Sequence, residues 1–186
     1  ELTSTNSELI FEDDKVEVYT VPLEHRIYTN GFLFKEKEGE RKLNVKAAEK
    51  ANINKAYYRK LKQGFDVENE NGELIKNELV TKPANASKSY AFCSDTVYKE
   101  DIVPIIKNAT ALYHESTFLD KHAHLGPKTK HSTAKQAASI AKQANVGTLL
   151  LGHYSTRYDG LNLFKEEAQE VFKNVKLSED GKVFNF

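Results

Sequence analysis

Three short apolar runs, each halted by a small-residue turn that carries a ligand-grade side chain, constrain this chain more than any other feature. Tyr90-Ala91-Phe92-Cys93 runs into Ser94-Asp95-Thr96, and Ala111-Leu112-Tyr113 into His114-Glu115-Ser116-Thr117. Thr148-Leu149-Leu150-Leu151 runs into Gly152-His153-Tyr154-Ser155. Runs this short, bounded by turn formers, read as buried strands. Helical patterns lie between and after them. One is expected near Lys99–Asn108, with Pro104 limiting its start. A second is capped by Ser132 or Thr133 and has a small apolar face of Ala134, Ala137, Ala138, Ala141 and Ala144. A third covers Lys165–Lys173. Strands alternating with helices give an α/β fold, and such folds gather functional groups at the carboxyl ends of their strands. Residues 8–23 alternate around Lys15–Val21 and read as one half-buried strand. His25 follows it in the same way, beyond Pro22-Leu23, and Phe32-Leu33-Phe34 makes another β-like run.

At 186 residues the chain is sized for one domain. It has no apolar run of about 18 residues that could span a membrane. The single Cys93 excludes an intramolecular disulfide framework and suits a reducing, cytoplasmic setting. Lys plus Arg and Asp plus Glu both number 27, so no global positive field advertises nucleic acid. Charge is instead segregated locally. Residues 41–62 hold eight basic side chains against Glu49 alone, whereas 65–80 reverse sign around the turn signal Asn71-Gly72. The stretch 36–82 therefore reads as an insertion within the domain, part helix and part hairpin. From Lys121 to Gly147 there are five lysines and no carboxylate. The chain opens on Glu1 and contains no Met, which is expected of a piece of a longer product.

Taken singly, the polar residues have ordinary readings. Asp95 before Thr96 suits a helix cap, His153 a satisfied core histidine, and His114-Glu115 a local pair. His122 and His124 sit in a Lys/Gly/Pro loop and read as solvated, and Cys93 as buried and inert. Taken jointly, two imidazoles and a carboxylate at one sheet edge are what zinc accepts as nitrogen and oxygen ligands.

The segments PLEHR (22–26), AFCSDT (91–96), YHEST (113–117), KHSTAKQAA (130–138) and GHYSTRY (152–158), in this order, resemble ribonuclease Z. The resemblance implies a metallo-β-lactamase fold, a four-layer αββα sandwich, of which 1–186 is the C-terminal part and 36–82 an inserted arm. It implies a zinc-dependent endoribonuclease, a hydrolase and phosphodiesterase, that removes the 3′ trailer from precursor tRNA. His25 and His153 then match ligands of the two zinc ions, with manganese or iron as substitutes, and Asp95 matches the carboxylate bridging them. His131 matches the histidine that protonates the leaving 3′ oxygen, and Glu115 the acid that orients it. Arg157, with Ser132 and Thr133, would meet phosphate. Arg59, Lys60 and Lys62 in the arm would grip tRNA by its backbone, although Lys55-Ala56-Tyr57-Tyr58 stands where the family's arm is usually glycine-rich.

The family's His-x-His-x-Asp-His motif does not occur in the chain. Its metal ligands and general base are therefore expected in an N-terminal half that these 186 residues do not contain, and the segment alone is expected to be inactive. A homodimer is a further implication. Two alternatives stand beside this one: another phosphodiesterase of the same fold, and a non-catalytic RNA-binding subunit.

Overall fold

The computed structural model describes residues 4–186. Strands β1 (Leu9–Glu12) and β2 (Val16–Pro22) form a hairpin, and β3 (Asn30–Glu36) pairs with β2. The hairpin turn is fixed by the Asp13 carboxylate, which accepts the Lys15 and Val16 N–H groups at 2.7 and 2.8 Å. The single alternating strand expected over this stretch is thus two strands. Next come β4 (Lys42–Leu43), α1 (Val45–Lys50), α2 (Tyr58–Lys62), β5 (Val67–Glu68), β6 (Leu74–Ile75), α3 (Asn77–Val80) and β7 (Thr81–Lys82). The chain continues through β8 (Ser89–Cys93), β9 (Ala111–Glu115), α4 (Gly126–Thr129), α5 (Ala134–Gln143), β10 (Thr148–Gly152), α6 (Asn162–Gln169) and β11 (Val175–Leu177).

One seven-stranded sheet has the order β1-β2-β3-β8-β9-β10-β11. Its first three pairings are antiparallel and its last three parallel. Two successive antiparallel steps make β2 run with β8, so β2, β8, β9 and β10 all end at one edge. That edge receives His25, Asp95, Glu115 and His153.

Strand alternation separates the two sheet faces. Leu33, Ala91, Cys93, Leu112, Leu149 and Leu151 face one side and pack with Ala134, Ala137, Ala138 and Ala141 of α5 and with Phe164 and Ala168 of α6. Each fully buried leucine contributes about 1.5–3 kcal/mol. The alanine stripe lets α5 lie close to the sheet. Thr133 starts that helix with a reciprocal cap: its hydroxyl accepts the Gln136 N–H at 3.1 Å, and the Gln136 side chain accepts the Thr133 N–H at 2.9 Å. Cys93 is fully buried under this layer, and burial pushes its thiol up to about 12. We expect a disulfide reagent such as dithionitrobenzoate to leave the native chain unlabelled over hours and to modify it within minutes in denaturant. Prompt labelling of native protein would show that the sheet opens at this strand.

The opposite face carries Phe32, Phe34, Tyr90, Phe92 and Tyr113, with no helical layer among the described residues. Phe34 and Phe92 remain 39% and 37% exposed. Phe92 stacks on Tyr113 at 4.7 Å, and Tyr90 lies between Phe34 and Phe186 at 6.2 and 5.9 Å.

Two helical expectations change. The stretch after β8 is a 3-10 turn at Glu100–Ile102 followed by further turns, because Pro104 has no N–H with which to continue the ladder. It still seats Ile102 and Ile106 in the core. The last helix begins at Asn162 and ends at Gln169, which brings Phe164 inside.

Lys37–Ser87 forms a second compact unit. It has its own small core of Ala48, Ile53, Leu61, Val67 and Val80. Asn71-Gly72 makes the expected hairpin turn, with Gly72 at φ 78°. Asn77 ties the unit together from within: its side chain donates to the carbonyls of Leu61 and Phe65, and its carbonyl oxygen accepts the Thr81 hydroxyl.

Candidate metal site

The strand-end loops are stitched to one another by hydrogen bonds that fix the side chains they carry. The Val97 N–H donates to the Glu24 carbonyl at 3.0 Å, and the Glu24 N–H to the Thr96 hydroxyl at 3.2 Å. Ser116 donates both its N–H and its hydroxyl to the Gly152 carbonyl, at 2.8 and 3.0 Å. The Phe118 N–H donates to the Ser132 carbonyl, and the Ser132 hydroxyl to the Thr96 carbonyl at 2.7 Å. Lys130 and Glu24 form an ion pair.

Three non-glycine residues in these loops, Asp95, Lys130 and His153, have left-handed backbone at φ 57°, 62° and 57°. Such conformations cost energy that packing must offset, and they concentrate at functional sites. His153 follows Gly152, where a Cβ would lie 2.3 Å from the Tyr113 hydroxyl oxygen and 2.6 Å from Ser178 Oγ. Gly152→Ala should therefore cost about 1–3 kcal/mol and displace His153. Urea denaturation measures the first effect, and a wild-type midpoint would contradict it.

Glu115 is the fully buried centre of the constellation. One carboxylate oxygen accepts the Thr96 N–H at 3.0 Å and His131 Nδ1–H at 2.7 Å. The other accepts the Thr117 N–H at 3.1 Å and the Thr117 hydroxyl at 2.8 Å. Burial pushes this carboxyl up, but the hydrogen bonds from His131 and Thr117 outweigh it and hold the group below the ordinary range. The bond to Glu115 raises His131 in turn, against the opposing effect of its own burial. The pair is thus built to carry an imidazolium, with Nδ1 engaged and Nε2 as the free ring nitrogen.

Proton accounting also settles His153. The Thr117 hydroxyl has one hydrogen, and Glu115 takes it. The contact between Thr117 Oγ1 and His153 Nδ1 at 2.8 Å must then be donated by the imidazole. Nδ1 therefore carries a proton, and Nε2, the other ring nitrogen, lies 3.2 Å from Asp95 Oδ1. The spacing suits a metal ion held by both groups, and a doubly protonated ring would instead pair with Asp95 directly. His25 adds a buried Nε2 that has no hydrogen-bond partner among the described residues. The His25 and His153 rings lie 5.1 and 5.0 Å from that of His131. Ligand atoms of His25, Asp95 and His131 fall within 4.8 Å of one another, as do those of Glu115, His131 and His153. With His131 kept as the charged partner of Glu115, the nitrogen and oxygen donors left are His25, Asp95 and His153, a set that a borderline divalent ion accepts.

The remaining candidates divide. Arg157 is exposed, with its guanidinium 6.0 Å from the Phe118 ring, which packs edge-on against His131 at 6.5 Å. Ser132 and Thr133 are fully buried, and their hydroxyls are spent on the Thr96 carbonyl and the α5 cap, so they support the His131 loop from inside. Arg59 and Lys60 are exposed in the inserted unit, with Lys60 5.6 Å from the Tyr57 ring, while Lys62 pairs with Glu40 at 2.7 Å. His114 is buried and donates Nδ1–H to the Glu115 carbonyl at 2.7 Å, away from the carboxylate pair. Thr96 and Thr117 escaped the sequence reading although both stand inside quoted motifs. A hydroxyl beside each acid was the available signal.

A mixed sheet with helices on one face and a histidine–carboxylate cluster at its strand ends defines a metallo-β-lactamase fold chain. YhfI of Bacillus subtilis, a metallo-β-lactamase fold protein, superposes with TM-score 0.63 at 16% identity over 99% of this chain and 54% of its own. The short form of human tRNase Z gives 0.57 at 21% identity over 97% of this chain and 47% of its own. Within that class the chain is homologous to ribonuclease Z over nearly all of its own length. It is 47% identical to ribonuclease Z of Cytophaga hutchinsonii, covering 98% of this chain and 58% of that protein. It is also 47% identical to ribonuclease Z of Porphyromonas gingivalis, covering 89% of this chain and 54% of that protein. The chain thus spans little more than half the length of these relatives. No family model matches it.

Proposed function

We propose that this chain supplies the acid-donating half of a zinc-dependent endoribonuclease site that removes the 3′ trailer from precursor tRNA. The observation that carries the reading is the Glu115–His131 pair at 2.7 Å beside the Asp95–His153 contact at 3.2 Å. His25, Asp95 and His153 would hold the metal. When bound, it supplies Lewis acidity and a water activated near neutral pH. His131, charged and oriented by Glu115, donates from Nε2 to the departing 3′ oxygen, and Glu115 stabilises the charge on the ring while it waits. Thr117 keeps His153 in the tautomer that leaves its Nε2 bare. Arg157, braced on Phe118, meets a phosphate oxygen with its planar fork.

A second β layer completes the site in this reading. The open aromatic face around Phe34 and Phe92 and the relatives' greater length support it. Arg59 and Lys60 of the inserted unit grip tRNA by shape and phosphate. A homodimer working in the cytoplasm completes the picture, and size-exclusion chromatography with light scattering tests the dimer.

The complete enzyme can be built by joining this chain to the part of the Cytophaga hutchinsonii relative that it does not match. Deleting 41–80 from that chimera should lower precursor-tRNA cleavage at least about tenfold while sparing hydrolysis of bis(p-nitrophenyl) phosphate. Deletion that leaves both activities unchanged would favour a phosphodiesterase for other substrates.

A further inference from the structure

Beside Arg157 lie two further groups, Lys121 and His122, that the proposed chemistry does not use. The Leu119 N–H donates to the Tyr158 hydroxyl oxygen at 3.0 Å, and the same hydroxyl lies 2.7 Å from His122 Nδ1. The arrangement that uses the phenol's own hydrogen within this cluster has it donate to His122 Nδ1. In that arrangement His122 is the Nε2–H tautomer, a neutral donor held in one orientation, not the solvated side chain expected from its loop. Burial and the charges of Arg157, Lys121 and His124 all disfavour its protonation.

Cations surround this donor. Lys121 lies 5.6 Å from the Tyr158 ring, the His124 ring is 6.2 Å from that of His122, and Arg157 sits on Phe118. Lys121 and Arg157 form no ion pair among the described residues. The neighbouring carboxylates are engaged elsewhere. Asp120 pairs with Lys135 at 3.4 Å, and Glu167 accepts the N–H groups of Asp120 and Lys135. A fixed neutral donor among unpaired cations suits an oxyanion carrying diffuse charge.

We propose that Lys121, His122 and Arg157 form a subsite for a backbone phosphate of bound RNA, adjoining the phosphate that is cut, with Tyr158 as the positioning residue that fixes His122. The substrate class rests on the ribonuclease reading, whereas the subsite can be tested without catalysis.

The test is anisotropy of a fluorescein-labelled, single-stranded 12-nucleotide RNA titrated with the 186-residue chain across 20–200 mM KCl. Lys121→Gln should flatten the log–log salt slope by about 0.7, the value of one single-strand phosphate contact. His122→Ala should weaken binding about tenfold with the slope unchanged, because a neutral donor releases no counterion. His122→Gln, which keeps an N–H donor, should recover most of that loss, and Lys142→Gln at the far end of α5 should change neither quantity. Circular dichroism establishes that each variant is folded. Binding that ignores Lys121→Gln and His122→Ala, or that vanishes only with Arg59 and Lys60 replaced, would overturn the subsite. Correct responses here in a chimera that cuts no precursor tRNA would instead sink the ribonuclease reading and leave the subsite standing.

Discussion

Glu115→Gln in the completed enzyme is expected to lower kcat for precursor-tRNA cleavage by about 10²–10⁴, the usual worth of a positioned general acid. All four polar contacts of the carboxylate are with donors: two backbone N–H groups, the Thr117 hydroxyl and His131 Nδ1. A glutamine side chain has one accepting oxygen and one donating nitrogen. Whichever way it turns, N–H points at N–H or at a hydroxyl that had been donating. The His131 ring loses the charge that favours its imidazolium, and Thr117 loses its reason to accept from His153. The variant should also lose about 1–3 kcal/mol of stability for the donors left unmatched in a buried site. Single-turnover cleavage rates and urea unfolding read the two effects separately. A kcat within threefold of wild type would mean that the leaving oxygen receives its proton from elsewhere.

Asp95→Ala carries the second large effect, on metal uptake. Asp95 belongs to the group that includes His25 and also lies against His153, so its removal takes a ligand from both sides of the cluster. Outer-shell changes alone typically cost 10–100-fold in metal affinity, and the loss of a direct ligand should exceed that. We expect zinc occupancy of the dialysed enzyme, read by elemental analysis, to fall by at least one ion per chain while the circular dichroism spectrum is kept. The side chain is half exposed, which makes it a mild site for the fold. Undiminished occupancy would place the metal among other residues.

Much of this was legible because strand ends punctuate the sequence. Cys93-Ser94-Asp95 and Leu151-Gly152-His153 mark both the end of a buried run and the residue delivered there, and parallel pairing then brings them to one edge. Thr133 with Gln136 announces α5 by local chemistry alone. What could not be read depended on contacts distant in the chain. Thr117 meets His153 across 36 residues, and His122 meets Tyr158 across another 36, so neither tautomer had a local signature. The same distance hid the fate of Ser132, whose hydroxyl reaches back to the Thr96 carbonyl. The expected helix over Lys99–Asn108 failed for the opposite reason. Pro104, expected to limit its start, ends it instead, because its missing N–H breaks the ladder.

The central claim is that a metal-dependent cut at the 3′ side of tRNA passes through His131. It is tested most directly by incubating precursor tRNA with the metal-stripped chimera, then with zinc restored, and mapping the 3′ ends. We predict no cleavage without metal and a single cut at the 3′ boundary of the mature tRNA when zinc is returned. His131→Ala should abolish that cut, and the 186-residue chain alone should not produce it. Metal-independent cleavage, a cut that survives His131→Ala, or full activity from the chain by itself would contradict the account.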